Sequence, residues 1–335
     1  MTAFELGIAV VVLLVALALV FAFLNGFHDA ANSIATVVST GVLKPQQAVI
    51  WAAVFNVAAM FVFQLEVATT IGTGTVLPEV VDAHVIFGAL VAAIFWNVLT
   101  WYYGIPSSSS HALIGGLVGA GFAKSGFAAL IGSGIVKTLA FIVISPLLGF
   151  ALGSVLMVVV SRVFFRGTPG RLDRWFRRLQ LVSAALYSLG HGGNDAQKSI
   201  GLIWLLLIGS GFSLASDPVP GWVVVSCYGA IGLGTLFGGW RIVRTMGQKL
   251  TKLKPVGGFC AETGGAVTIF LASALGAPIS TTHTITGAIV GVGSVRPRGG
   301  VRWGLASVIV WAWILTIPCA ALVSAAAWWI SSSLF

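Results

Sequence analysis

Asn25-Gly26-Phe27-His28-Asp29-Ala30-Ala31-Asn32-Ser33-Ile34 is a polar stretch inside an apolar chain, and it returns as His191-Gly192-Gly193-Asn194-Asp195-Ala196-Gln197-Lys198-Ser199-Ile200. A second element behaves the same way: Pro106-Ser107-Ser108-Ser109-Ser110-His111 is echoed by Pro278-Ile279-Ser280-Thr281-Thr282-His283. The copies lie 166 residues apart at the aspartates and 172 apart at the histidines. A two-part polar site that occurs twice at matched spacing marks an internal duplication, and in a membrane chain it points to a transporter.

The composition around these motifs identifies the solvent. Of 335 residues 58% are hydrophobic and 8% charged, a balance foreign to water-soluble domains. Roughly 20 apolar residues cross a bilayer core as a helix. Runs of that kind are Leu6–Leu24, Gln47–Leu65, His84–Tyr103, Phe127–Val160, Trp222–Trp240, Val256–Leu275 and Trp303–Ile330. Shorter apolar pieces, Ala30–Val42, Ala112–Phe122, Leu181–Phe212 and Thr284–Val295, contain or follow the motifs. The amino-terminal run has no basic flank, only Glu5, so it reads as part of the mature protein and not as a signal peptide. Cys227, Cys260 and Cys319 lack metal-ligand spacing and read as small hydrophobes in packed helices. Neither a cofactor nor a structural metal is expected.

The net charge of +9 is concentrated in three places: six arginines in 161–178, Arg241 to Lys254, and Arg296, Arg298 and Arg302. Basic short loops mark the cytoplasmic side, which removes the nucleic-acid reading that such a charge invites in a soluble protein. Glu66, Glu79, Asp82 and Asp217 then fall outside. Alternating the spans from these anchors sends the Asp29 segment inward and the Asp195 segment outward, with the two His segments likewise opposed. The fold class expected is therefore an all-α polytopic membrane protein. It consists of two inverted-topology repeats whose discontinuous helices meet near mid-membrane. The organisation expected is a first repeat at 1–160, a basic cytoplasmic linker at 161–178 and an inverted second repeat at 179–335. Both termini are placed outside the plasma membrane; the lipid is a partner, and a homo-oligomer is compatible with the composition.

Glycine and polar residues in an apolar run are expected to interrupt a helix, which a membrane tolerates only where protein or a water-filled cavity satisfies the freed backbone. Pro106 and Pro278 are expected to open new helices, since proline suits a first turn. A helix start rich in hydroxyls offers N–H groups, a positive dipole end and O–H donors to an anion. Ser108, Ser109, Ser110, Ser280, Thr281 and Thr282 are the anion-binding candidates on this ground. Caps or interhelix bonds would explain one such run, but two in matching register, each ending in histidine, favour the anion.

Asp29 and Asp195 are acids in hydrophobic segments, where an unpaired charge costs at least ~2.5–3.5 kcal/mol. Each must be protonated, paired or bound to a cation. Asn32 and Asn194 add oxygen ligands suited to Na⁺, and Glu262 is a third embedded acid. Lys198 stands where the other copy has Asn32; three residues from Asp195, it is placed to pair with it, to ligate the anion, or to serve as a tethered cation. His28 replaces the amide of its mate Asn194, which favours proton involvement. The coupling-cation candidates are thus Asp29, Asp195, Asn194, Glu262 and His28. Asn32 and Lys198 join the substrate candidates, and His111, His283, Asn25 and His191 are supporting residues.

These paired stretches resemble the inorganic phosphate transporter (PiT) family, in the form found in bacterial low-affinity carriers. The carrying residues are Gly26–Asn32 with Gly192–Lys198, and Pro106–His111 with Pro278–His283, in family order over nearly the whole chain. The resemblance implies symport of orthophosphate with Na⁺ or H⁺ through inverted repeats. It also implies phosphate held at the Ser/Thr elements and cations near the Asp and Asn positions. His28, where many members carry Asn, resembles proton-linked bacterial carriers, some of which move a metal–phosphate. Asn56 stands where animal members have an acid, and their long hydrophilic loop is absent. Three other readings compete: a sulfate or other oxyanion permease of the same fold, a passive anion channel, and an intramembrane Ser/His hydrolase. The chain has neither a Gly-x-Ser-x-Gly elbow nor a His-Glu-x-x-His site, and its Ser/His groups are duplicated, which disfavours the enzyme.

Overall fold

The computed structural model describes residues 7–214, 216–295 and 300–334, which leaves Glu5, Arg296 and Arg298 outside the described residues. Twelve α-helices account for most of them. They are α1 (Ile8–Ser39), α2 (Pro45–Ala58), α3 (Glu66–Thr73), α4 (Ala83–Tyr103), α5 (Ser109–Ser125), α6 (Gly132–Val163), α7 (Pro169–Gly209), α8 (Gly221–Phe237), α9 (Trp240–Arg244), α10 (Pro255–Ala274), α11 (Thr281–Ser294) and α12 (Trp303–Leu334). A π-helical turn at Thr245–Leu250 continues α9, and α8 with that continuation bends by 59°. Among the described residues six helical segments are long and apolar enough to cross a membrane, or seven if the bent pair is one span. Large apolar side chains such as Val136, Leu139 and Leu147 on α6 and Trp311, Ile314 and Leu322 on α12 are exposed, as a hydrocarbon solvent permits.

Three expectations need correction. First, the aspartate motifs do not interrupt their helices: α1 and α7 run unbroken through them for 32 and 41 residues. The backbone stays bonded because the motif glycines serve close packing. A Cβ on Gly26 would lie 2.2 Å from the Ile231 carbonyl oxygen, and one on its mate Gly192 would lie 2.3 Å from that of Asn56. Second, the basic stretch 161–178 is mostly helical, with α6 ending at Val163 and α7 beginning at Pro169. At 1.5 Å per residue α7 is about 61 Å long, about twice a hydrocarbon core, so its arginine-rich first turns extend beyond it. Third, Pro106 and Pro278 do not occupy first turns. The helices start at Ser109 and Thr281, after N-caps Ser108 and Ser280.

The breaks before α5 and α11 do occur where expected, and the packing around them is paired. α5 of the first half packs along α12 of the second, while α11 of the second packs along α6 of the first. Gly119 on α5 closes on the Ala321 backbone, and Gly291 on α11 closes on that of Phe150. Pro146 and Pro318, also 172 apart, sit within the two long receiving helices. Helices α1, α2, α7 and α8 pack together, α1 against α8 and α7 against α2. Substituting Gly192 by alanine is expected to cost about 1–3 kcal/mol through overpacking, read as a lower unfolding midpoint in detergent. Gly229→Ala, where a Cβ meets nothing within 4 Å, should be neutral or stabilising.

Candidate functional site

The N-termini of α5 and α11 start inside the protein and face one another. Ser108 and Ser280 cap them identically, each hydroxyl accepting from the backbone N–H of the following His111 or His283, at 3.2 and 3.1 Å. The Ser110 hydroxyl donates across the gap to the Ile279 carbonyl at 3.2 Å. Both half-helices thus aim their positive ends and hydroxyl side chains at one point. Ser108–Ser110, Ser280–Thr282, Asn25, Asn32, Asp29, Asn194, Asp195 and Lys198 are all buried there.

At that point the hydroxyls meet the carboxylates. Ser109 Oγ lies 2.7 Å from both Asp29 Oδ2 and Asn25 Oδ1, and its single proton serves one of them at a time. Thr282 donates to Asp29 Oδ1 at 3.3 Å, so Asp29 accepts from both half-helices. Thr281 donates to Asp195 Oδ2 at 3.1 Å. The Asn32 amide donates to Thr282 Oγ1 at 2.9 Å, leaving its carbonyl oxygen without a partner among the described residues. Lys198 donates to Asp195 Oδ1, to Ser110 Oγ and to the Ile279 carbonyl, using all three of its protons. Of the three roles open to Lys198 in the sequence, pairing with Asp195 is realised. Ligand atoms of Asp29, His191 and Asp195 lie within 4.8 Å of one another, close enough to share one cation.

His28 Nδ1 lies 2.7 Å from Asp29 Oδ1, with Nε2 3.1 Å from Thr100 Oγ1. His191 Nε2 lies 3.0 Å from Asp195 Oδ2, and its Nδ1 is 3.2 Å from Asn56 Oδ1. Each aspartate therefore has its own histidine. His28 is matched by Asn194 and His191 by Asn25, so the two halves exchange the positions of one histidine and one amide. The reading of His28 as a titratable group unique to one half is incomplete on this point. Asn194 donates to Ser273 Oγ at 3.0 Å, as His28 approaches Thr100 in the other half. His111 and His283 touch each other, rings 4.7 Å apart, and His283 stacks on Trp313 at 3.8 Å. Neither ring contacts an aspartate among the described residues.

Glu262 is held apart from this centre. It accepts from Thr36 at 2.6 Å, Gln180 at 3.0 Å and Ser183 at 2.5 Å, and Gln180 accepts in turn from Thr40. The positions matched by the duplication are Leu14, Leu17, Leu90 and Leu202, so this polar cluster has no counterpart in the repeat. Sequence reading found Glu262 but missed Gln180, Ser183 and Thr36, which scattered over two helices look like ordinary polar residues. It also missed Asn97, 2% exposed, whose amide has no partner among the described residues and which lines a cavity of about 90 Å³ with His28.

Membrane-length helices enclosing a buried carboxylate–hydroxyl centre, approached by two opposed half-helix starts, define a membrane transporter. The sequence pattern of the phosphate transporter family matches residues 25–324, and the chain belongs to that family. It is 62% identical to a protein of Rhizobium meliloti (strain 1021) named "Probable low-affinity inorganic phosphate transporter", over 93% of each chain. A protein of Bacillus subtilis (strain 168) with the same name is 45% identical over 97% of this chain and 98% of its own. The solved structure "The sodium-dependent phosphate transporter" superposes with a TM-score of 0.89 at 25% identity, covering 98% of this chain and all of the other. The expected membership and the helical membrane class are borne out, and the family and its members are transporters, not enzymes.

Proposed function

We propose that the chain is a secondary active symporter that imports inorganic phosphate with H⁺ or Na⁺ by alternating access. The observation that carries this is the sharing of hydroxyls: Ser109, Thr281 and Thr282, the donors an oxyanion needs, are bonded to Asp29 and Asp195. An anion 4 Å from an unneutralised carboxylate is repelled by about 4 kcal/mol at an effective dielectric of 20. The hydroxyls bring little against that, because each bond to the anion would replace a charge-assisted bond already made to a carboxylate. A cation on the carboxylate removes the repulsion and frees the hydroxyls, so anion and cation bind together or not at all. Ser108–Ser110, Ser280–Thr282 and Asn32 face the phosphate in this reading. Asp29, Asp195, Asn194, His28 and Glu262 serve the cations.

Inverted repeats with the basic stretches on the cytoplasmic side and both termini outside supply the two access routes, in keeping with the paired packing of α5 on α12 and α11 on α6. The low-affinity names of the bacterial relatives support phosphate as the cargo, and the sodium-dependent structural relative supports Na⁺ as one coupling ion. The Asp29–His191–Asp195 cluster favours one variant, in which a divalent cation travels with the phosphate as substrate.

Uptake of labelled phosphate into proteoliposomes, with a pH gradient or a Na⁺ gradient imposed separately, tests the proposal. Accumulation above the external concentration is expected with one of the two gradients. Flux that never exceeds equilibration would make the protein a channel. Arsenate should compete with the label and sulfate should not; strong competition by sulfate would replace phosphate with a broader oxyanion specificity.

A further inference from the structure

We propose that the Lys198 ammonium is a resident counter-ion that fills the cation position of the second half, so that the cycle couples one mobile cation at Asp29 in place of one at each aspartate. The inference deepens the symport reading and rests on Asp29 carrying the mobile cation.

The geometry of the ammonium is that of a bound ion. Lys198 is fully buried on α7 and contacts a carboxylate oxygen of Asp195, the hydroxyl of Ser110 and the carbonyl of Ile279. Carboxylate, hydroxyl and carbonyl oxygens are the ligand set of a hard cation. Its mate Asn32 is neutral, and Asp29 bonds to Ser109, Thr282 and His28, with no lysine or arginine in contact among the described residues. The charges facing the centre are those of Asp29, Asp195 and Lys198, with His28 and His191 beside the two acids. With both imidazoles neutral the centre carries a single negative charge, and one monovalent cation neutralises it. Tethered to α7, the ammonium does not leave when the site opens, so it contributes nothing to the ion gradient's driving force. It also joins Ser110 at the start of α5 to Ile279 just before α11, and so holds the two half-helix ends together.

Lys198→Asn recreates the residue of the mate, and the test compares it with the native chain in proteoliposomes. Initial phosphate uptake is measured against the concentration of the coupling cation. The logarithmic slope is expected to rise from about one to about two, with one additional charge moved per phosphate in the dependence on membrane potential. Purified Lys198→Asn should also show a larger cation-dependent rise in unfolding temperature than the native chain, since two sites are then filled in place of one. A slope still near one in an active variant overturns the inference. So does a raised KM for phosphate at unchanged slope, which would make Lys198 an anion ligand. Failure of Lys198→Asn to fold at any cation concentration likewise overturns it, because no mobile ion then fits the position. Concentrative uptake surviving in Asp29→Asn would instead overturn the symport reading beneath it.

Discussion

Asp29→Asn is expected to abolish concentrative phosphate uptake while the folded protein remains in the membrane. The amide keeps the size of the side chain and can still bond to Ser109 and Thr282, so the packing of α1 against the two half-helices has little reason to change. What is lost is the charge. Without it the site has no electrostatic reason to require a cation, because the repulsion of about 4 kcal/mol that made cation binding obligatory is gone. Any flux that remains should run only down the phosphate gradient, insensitive to imposed pH or Na⁺ gradients. The measurement is the accumulation ratio at steady state in proteoliposomes. A native ratio in Asp29→Asn would end the assignment of this carboxylate to coupling.

Asp195→Asn should fail for a different reason, and its effect on stability should be larger. Lys198 is its partner at full burial, and removing one member of a buried pair leaves an uncompensated charge at a cost of about 3–5 kcal/mol. Low membrane yield and a depressed unfolding midpoint are expected. Removing both charges with Asp195→Asn/Lys198→Met should recover much of the loss, since a buried pair is often replaceable by neutral groups of similar volume. The comparison is made on unfolding curves of the purified single and double variants. An unfolding midpoint for Asp195→Asn equal to the native value would show that Lys198 finds its balance elsewhere. Asp29→Asn, with no lysine in contact, should leave the midpoint near native, so the two aspartates separate coupling from folding.

The parts of this site visible in the sequence were those whose meaning is local. Pro106–His111 and Pro278–His283 announced helix breaks, and the structure caps both in the same way. The i, i+3 spacing of Asp195 and Lys198 offered their pairing as one of three roles, and the two are in contact. Helix continuity through Gly26 and Gly192 was not visible, because it depends on which backbone lies opposite, and the Ile231 and Asn56 carbonyls belong to distant helices. The second histidine–aspartate pair was present in the letters but required reading Asn25 against His191 as well as His28 against Asn194. The Glu262 network was hidden for a third reason. Its members come from α1, α7 and α10, and only their common burial distinguishes them from solvated polar residues.

The exchange of α5 onto α12 and of α11 onto α6 determines what can move as a body. A cut in the chain between α6 and α7 would separate neither part cleanly, because each would strip the other of the long helix its half-helix lies on. The mechanical units are therefore woven from both ends of the polypeptide: α4, α5 and α12 on one side, α6, α10 and α11 on the other, hung on α1, α2, α7 and α8. In such a weave a displacement on one side of the substrate pulls a strand of sequence that also belongs to the opposite side. In the alternating-access cycle proposed above, an opening begun at one face of the membrane would be transmitted to the other face by the chain itself.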